Sequence, residues 1–117
     1  MKMDRINPAS GQEGRLADQD QDIAVWMATR ADGIASFFKA LSHEGRLMLL
    51  CHLASGEKSV TELEGLLGQR QAAVSQQLAR LRLEGLVTTR REGKVIFYTL
   101  RDPRVLGLLR ELPEIFD

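Results

Sequence analysis

The chain has 117 residues, 44% of them hydrophobic and 27% charged, with no net charge and a single cysteine, Cys51. This is the length and composition of one globular domain. It excludes an internal disulfide framework and, with no apolar run near the roughly 20 residues that a bilayer requires, a membrane-spanning helix.

The opening stretch, MKMDRINPASGQEGRLADQDQD, lacks the apolar core of a signal peptide, so a soluble, cytoplasmic protein without membrane association is expected. Residues 1 to 17 are polar, carry Pro8, Gly11 and Gly14 and show no periodicity, which predicts a flexible tail before a domain over 18 to 117. From about 20 to 41, Ile23, Trp26, Met27, Ile34, Phe37, Phe38 and Leu41 recur at helical spacing, and Gly33 weakens the pattern without ending it. So much aromatic surface on one helix exceeds the needs of a small core and points to burial in a dimer. Ser42 is a candidate N-cap for a helix over about 43 to 54, with Leu47, Leu50, Cys51 and Leu53 on its apolar side.

The stretch SVTE at 59 to 62 is a capping box that opens a short helix, and Gly68 supplies its left-handed end. A further helix restarts almost at once in RQAAVSQQLARLRLEGL, with Val74, Leu78 and Leu81 on one face, in line with Leu86 beyond. Two helices joined by a short Gly-centred turn form a helix-turn-helix. LVTTRREGKVIFYTL reads as a hairpin with Gly93 at its tip. Asp102 and Pro103 then cap and start a last helix whose face is Val105, Leu108, Leu109 and Leu112, and Pro113 is expected to end it.

The charge is unevenly placed. Residues 70 to 104 hold eight basic side chains against three acids, a surplus of five that the remainder cancels. A basic half of this kind can present a phosphate-binding face in a neutral protein. Glutamine suits paired hydrogen bonds to adenine in the major groove, and serine reaches bases or phosphates. Gln71, Ala72, Ser75, Gln76, Gln77 and Arg80 are therefore the candidate DNA-facing residues of the second helix, with Arg90, Arg91 and Lys94 on the hairpin to meet the backbone or the adjacent minor groove.

The segment ALSHEGRLMLLCHLASGEKSVTELEGLLGQRQAAVSQQLARLRLEGLVTTRREGKVIFYTLRD resembles the ArsR/SmtB family of bacterial winged-helix repressors. The resemblance implies a mainly α winged helix-turn-helix with a β-hairpin wing, in the order α-α-(short β)-α-α-β-β-α. It also implies a homodimer through the first and last helices that binds double-stranded operator DNA and is released by a small inducer. The chain departs from the family at Arg70, where serine is frequent, and at Gln76 and Gln77, near which a histidine is common.

Family members often sense metals. The positions of one known cysteine pair hold Ser59 and Thr61 here, whose hydroxyls are poor ligands for soft metals. A second known site would pair Asp102 with a position that holds Arg104. Cys51 and His52 point about 100° apart on a helix, so no metal and no cofactor is expected. Around Cys51 the sequence is similar to the branch that senses sulfide, persulfides and oxidants, in which a second cysteine near the end of the last helix completes the switch. Here that end reads LLRELPEIFD, without cysteine. Cys51 is thus a buried core thiol, a lone redox switch, or one half of a switch whose partner is lost. No phosphate loop, acid pair or catalytic triad context is present, so an enzyme is not expected. The alternatives are a metal-responsive repressor of the same family and a winged-helix protein-interaction module that does not bind DNA.

Overall fold

A computed structural model describes residues 22–117; the expected tail over 1 to 17 lies outside the described residues. Helix α1 occupies 22–28 and a turn at 29–30 separates it from α2, Ala31–Leu41. The single helix expected over about 20 to 41 is therefore two. Gly33 is not the break. The Arg30 amide bonds to the Met27 carbonyl only three residues back, at 2.8 Å, and its guanidinium takes the Trp26 carbonyl at 2.6 Å, so the helical ladder is interrupted there. The elements that follow are α3 (Glu44–Leu53), β1 (Lys58–Ser59), α4 (Val60–Leu67), α5 (Gln71–Leu83), β2 (Val87–Glu92), β3 (Val95–Leu100) and α6 (Pro103–Phe116). Apart from the divided first helix this is the winged helix-turn-helix order expected.

Capping decides where these elements start. The expected cap of α3, Ser42, instead closes α2: its hydroxyl donates to the Lys39 carbonyl at 3.0 Å. The N-cap is His43, which takes the extended backbone and accepts the Gly45 amide on Nδ1 at 3.0 Å. At α4 the box forms as read: Ser59 Oγ accepts from the Glu62 amide and Glu62 Oε1 accepts from the Ser59 amide, at 3.1 and 2.9 Å. Hydrogen bonding from Ser59, its backbone amide first, holds the Glu62 carboxyl below its usual range. Ser59→Ala should cost about 1 kcal/mol of stability, the common cost of a lost cap, seen as a lower urea midpoint at unchanged slope. Gly68 ends α4 in the left-handed conformation, φ 64°. Asp102 caps α6 through the Arg104 amide, with Pro103 in the first turn. Pro113 does not end α6: a proline gives up its own amide bond and crowds the carbonyl one turn back, yet the helix runs on to Phe116, and the Asp117 amide bonds back to the Pro113 carbonyl at 3.2 Å.

The three strands form an antiparallel sheet in the order β1-β3-β2, with Val87 opposite Leu100 and Glu92 opposite Val95. The core gathers one apolar face from each helix after α1: Leu41 from α2, Leu49, Leu50 and Leu53 from α3, Leu63 from α4, and Val74, Leu78 and Leu81 from α5, closed by Leu86, Val87 and, from α6, Val105. Leu47 packs at its edge, and Leu49, absent from the expected face of α3, is fully buried.

Candidate nucleic-acid interface

Helix α5 buries Val74, Leu78 and Leu81 and so faces outward along the opposite side. At about 100° per residue that outer ridge is Ala72, Gln76, Ala79 and Leu83, all exposed. Gln71 at the start of the helix is exposed and Ser75 on the flank is half-buried. The alanines matter here: short side chains around Gln76 leave a long polar reader standing clear of its neighbours. Ala72 is where the sequence places it, among the groove-facing residues, and Ala79 joins it on the same ridge. Arg80, on the other flank, pairs with Glu84 at 3.1 Å one turn on. Gln77 lies toward α3, half-buried, with Nε2 3.3 Å from His43 Nε2 and Oε1 accepting from Arg46 at 3.3 Å.

The hairpin turns through Gly93, φ 63°, and Lys94. Neighbouring residues of a strand point to opposite faces, and this divides the basic pair read from the sequence. Arg90 lies across from Phe97, with its guanidinium 4.4 Å from that ring. Its nitrogens donate to both Glu57 oxygens, at 2.8 and 2.7 Å, and to Glu92 at 2.7 Å. Hydrogen bonding from Arg90 holds the Glu57 carboxyl below its usual range, and the same bonds raise the Arg90 guanidinium. Arg90 thus braces the wing against the loop after α3. Arg91 lies on the other face, opposite Ile96. Among the described residues neither Arg91 nor Lys94 has an ion-pair partner, and both are exposed. Lys94, Gln71 and Thr61 border one cleft, so the wing tip, the start of α5 and the first turn of α4 share a surface. Thr61 enters this surface unannounced, because only the pairing of β1 with β3 brings α4 beside the wing.

Cys51 is exposed on α3, which sets aside the buried-thiol reading. Arg46, the cation nearest in sequence, is directed to the Ala40 carbonyl at 2.6 Å and to Gln77, not to the thiol. The positions compared above with metal ligands have other work: Ser59 caps α4, and both Asp102 oxygens hold Arg104 at 2.6 to 3.0 Å. The Arg104 hydrogen bonds keep the Asp102 carboxyl below its usual range. Among the described residues no group of three His, Cys, Asp or Glu is placed to hold a metal ion, and no helix is long and apolar enough to cross a membrane.

Comparison with known proteins agrees with this architecture. The pattern of the bacterial regulatory proteins of the arsR family matches residues 43–89. The chain is 50% identical over 90 residues to the biofilm growth-associated repressor of Agrobacterium fabrum, covering 77% of each protein. It is 44% identical over 78 residues to the transcriptional activator HlyU of Vibrio cholerae, covering 67% of this chain and 72% of that one. Among solved structures, the transcriptional repressor BigR from Xylella fastidiosa superposes with a TM-score of 0.75 at 47% identity, over 78% of this chain and 93% of the other. Reduced HlyU from Vibrio cholerae gives 0.72 at 39% identity, over 77% and 95%. The proteins matched are transcriptional regulators, not enzymes.

Proposed function

The chain belongs to the arsR family of bacterial regulatory proteins, and from that premise we propose that it is a homodimeric repressor that reads double-stranded operator DNA through α5. One observation carries the reading: Gln71 at the exposed start of α5 and the unpaired cation Lys94 of the wing border a single cleft, so the first turn of the helix and the wing tip share one surface. Gln71, Ala72, Ser75 and Gln76 enter the major groove, while Arg91, Lys94 and Arg80 serve the backbone. Arg90, neutralised by Glu57 and Glu92, contributes by holding the wing.

Dimerisation through the first and last helices accounts for the large apolar side chains left exposed there: Ile23, Val25 and Trp26 on α1, Phe38 on α2, Ile115 and Phe116 on α6. A two-fold dimer would set its two α5 helices in successive major grooves of a palindromic site.

Binding measured by gel shift across a salt series tests the reading. Log affinity should fall steeply with log salt as neutralised phosphates release counterions. Arg91→Ala should weaken operator and random duplexes alike and lower the slope by about one for each copy bound. A protein that retards no duplex, or binds independently of salt, is not a DNA-binding repressor.

For the inducer we propose a persulfide or an oxidant that modifies Cys51, whose exposure admits the reagent. Wild-type protein treated with either reagent should lose its gel shift as mass spectrometry records the modified thiol, and Cys51→Ser should keep its gel shift. A modified thiol with unchanged DNA binding, or a Cys51→Ser protein that still responds, removes Cys51 from the switch.

A further inference from the structure

Helix α5 rests on its neighbours mainly through Val74, Leu78 and Leu81. Apolar contact of this kind is non-directional, so it sets how deeply a helix sits more firmly than how it is rolled about its axis. Roll matters for a reader, because Gln76 must reach a base edge within a hydrogen-bond length. Among the described residues, the side-chain contacts between polar atoms that join α5 to another helix converge on one residue, Gln77, next to Gln76 in the chain: a hydrogen bond from Arg46 and a close approach to His43.

Gln77 meets a node at which three helices join. Arg46 of α3 donates from Nε to the Ala40 carbonyl at 2.6 Å and from Nη2 to the Lys39 carbonyl at 3.4 Å, at the end of α2. A cation there also complements the helix dipole. Its remaining arm, Nη1, reaches Gln77 Oε1 at 3.3 Å. On the other side His43 caps α3 through Nδ1, with its ring close over Gly45: a Cβ there would stand 3.1 Å from the His43 ring. With Nδ1 accepting, the neutral imidazole carries its proton on Nε2. That nitrogen faces Gln77 Nε2, also a donor, at 3.3 Å. Gln77 therefore has one amide oxygen for two donors.

We propose that Gln77 is a positioning residue, not a base reader: through its hydrogen bond from Arg46, and set against the His43 ring, it fixes the roll of α5 and ties the recognition helix to the end of α2. This rests on the DNA-binding reading above. The clamp links α2, which carries Phe37 and Phe38, to the helix whose ridge carries Gln76, so a shift of α2 reaches the DNA-facing surface through Arg46.

The test uses full-length protein and a duplex that the wild type enriches from a random-sequence library, together with all single-base variants of that duplex. Gln77→Met and Arg46→Met should each weaken binding roughly tenfold for each of the two copies bound, the scale of one hydrogen bond to a charged group, with the order of preferred bases unchanged. The double variant should bind no worse than the weaker single variant, since both break one unit. Gln77→Glu, which offers one oxygen to each donor, should lose less than Gln77→Met. Val105→Ala, a core change remote from α5 in the chain, serves as the reference for loss of melting temperature without loss of affinity in the folded protein. A Gln77→Met protein that loses discrimination at one base pair, additive losses in the double variant, Gln77→Glu binding worse than Gln77→Met, or a Val105→Ala protein of equal melting loss that binds as poorly, each overturns the positioning role. A wild type that enriches no duplex overturns the DNA-binding reading itself.

Discussion

Leu78→Ala should cost about 3 kcal/mol of folding stability, within the range for a buried leucine that leaves a partly uncollapsed cavity. Leu78 is fully buried at the middle of α5, between Val74 and Leu81 on the same face, in a core shared with Leu49 and Leu50 of α3 and Leu63 of α4. A domain of this size has a total stability of only about 5–15 kcal/mol, so a change of that size shifts the urea midpoint far while leaving the slope unchanged. Leu83 is the control on the same helix: it is 83% exposed, and Leu83→Ala should stay within about 0.5 kcal/mol of wild type. A Leu78→Ala protein as stable as the Leu83 variant would mean that α5 does not rest on the core by this face.

That contrast between two leucines five positions apart was legible in the sequence, because α5 alternates apolar and polar residues with a helical period. The same holds wherever a local device sets the structure. The box at Ser59 and Glu62, the left-handed Gly68 and the Asp102–Pro103 start all act within a few residues of themselves. What escaped was of two kinds. Helix α3 is apolar around much of its circumference through RLMLLCHL, so periodicity does not choose its inner face; Leu49 went inward and Cys51 outward. The other kind depends on long-range pairs. Arg90 looks like a phosphate contact until Glu57, 33 positions earlier, is brought against it by the pairing of β1 with β3. Gln77 looks like a twin of Gln76 until Arg46, 31 positions earlier, claims its amide oxygen. In both cases a polar residue of the right type for DNA was taken up by a partner that no local pattern announces.

Gln76→Ala isolates the part of binding that carries sequence information. Gln76 stands on the exposed ridge, and no described side chain holds it by a hydrogen bond. A bidentate glutamine–adenine contact discriminates by about 1–3 kcal/mol. In the proposed homodimer each operator receives two such contacts, so the loss on a palindromic site should reach about 2–6 kcal/mol, from roughly thirtyfold upward. Random duplexes, held through phosphates, should be bound almost as before, because removing an uncharged side chain leaves every cation in place. Arg91→Ala is the converse: it removes a charge from the wing and should lower both affinities by a similar factor. Competition gel shifts at one fixed salt concentration read both ratios from the same titration. If Gln76→Ala weakens operator and random duplexes equally, Gln76 does not read a base. The specificity would then lie in the flanking Gln71 and Ser75, or in the deformability of the operator itself.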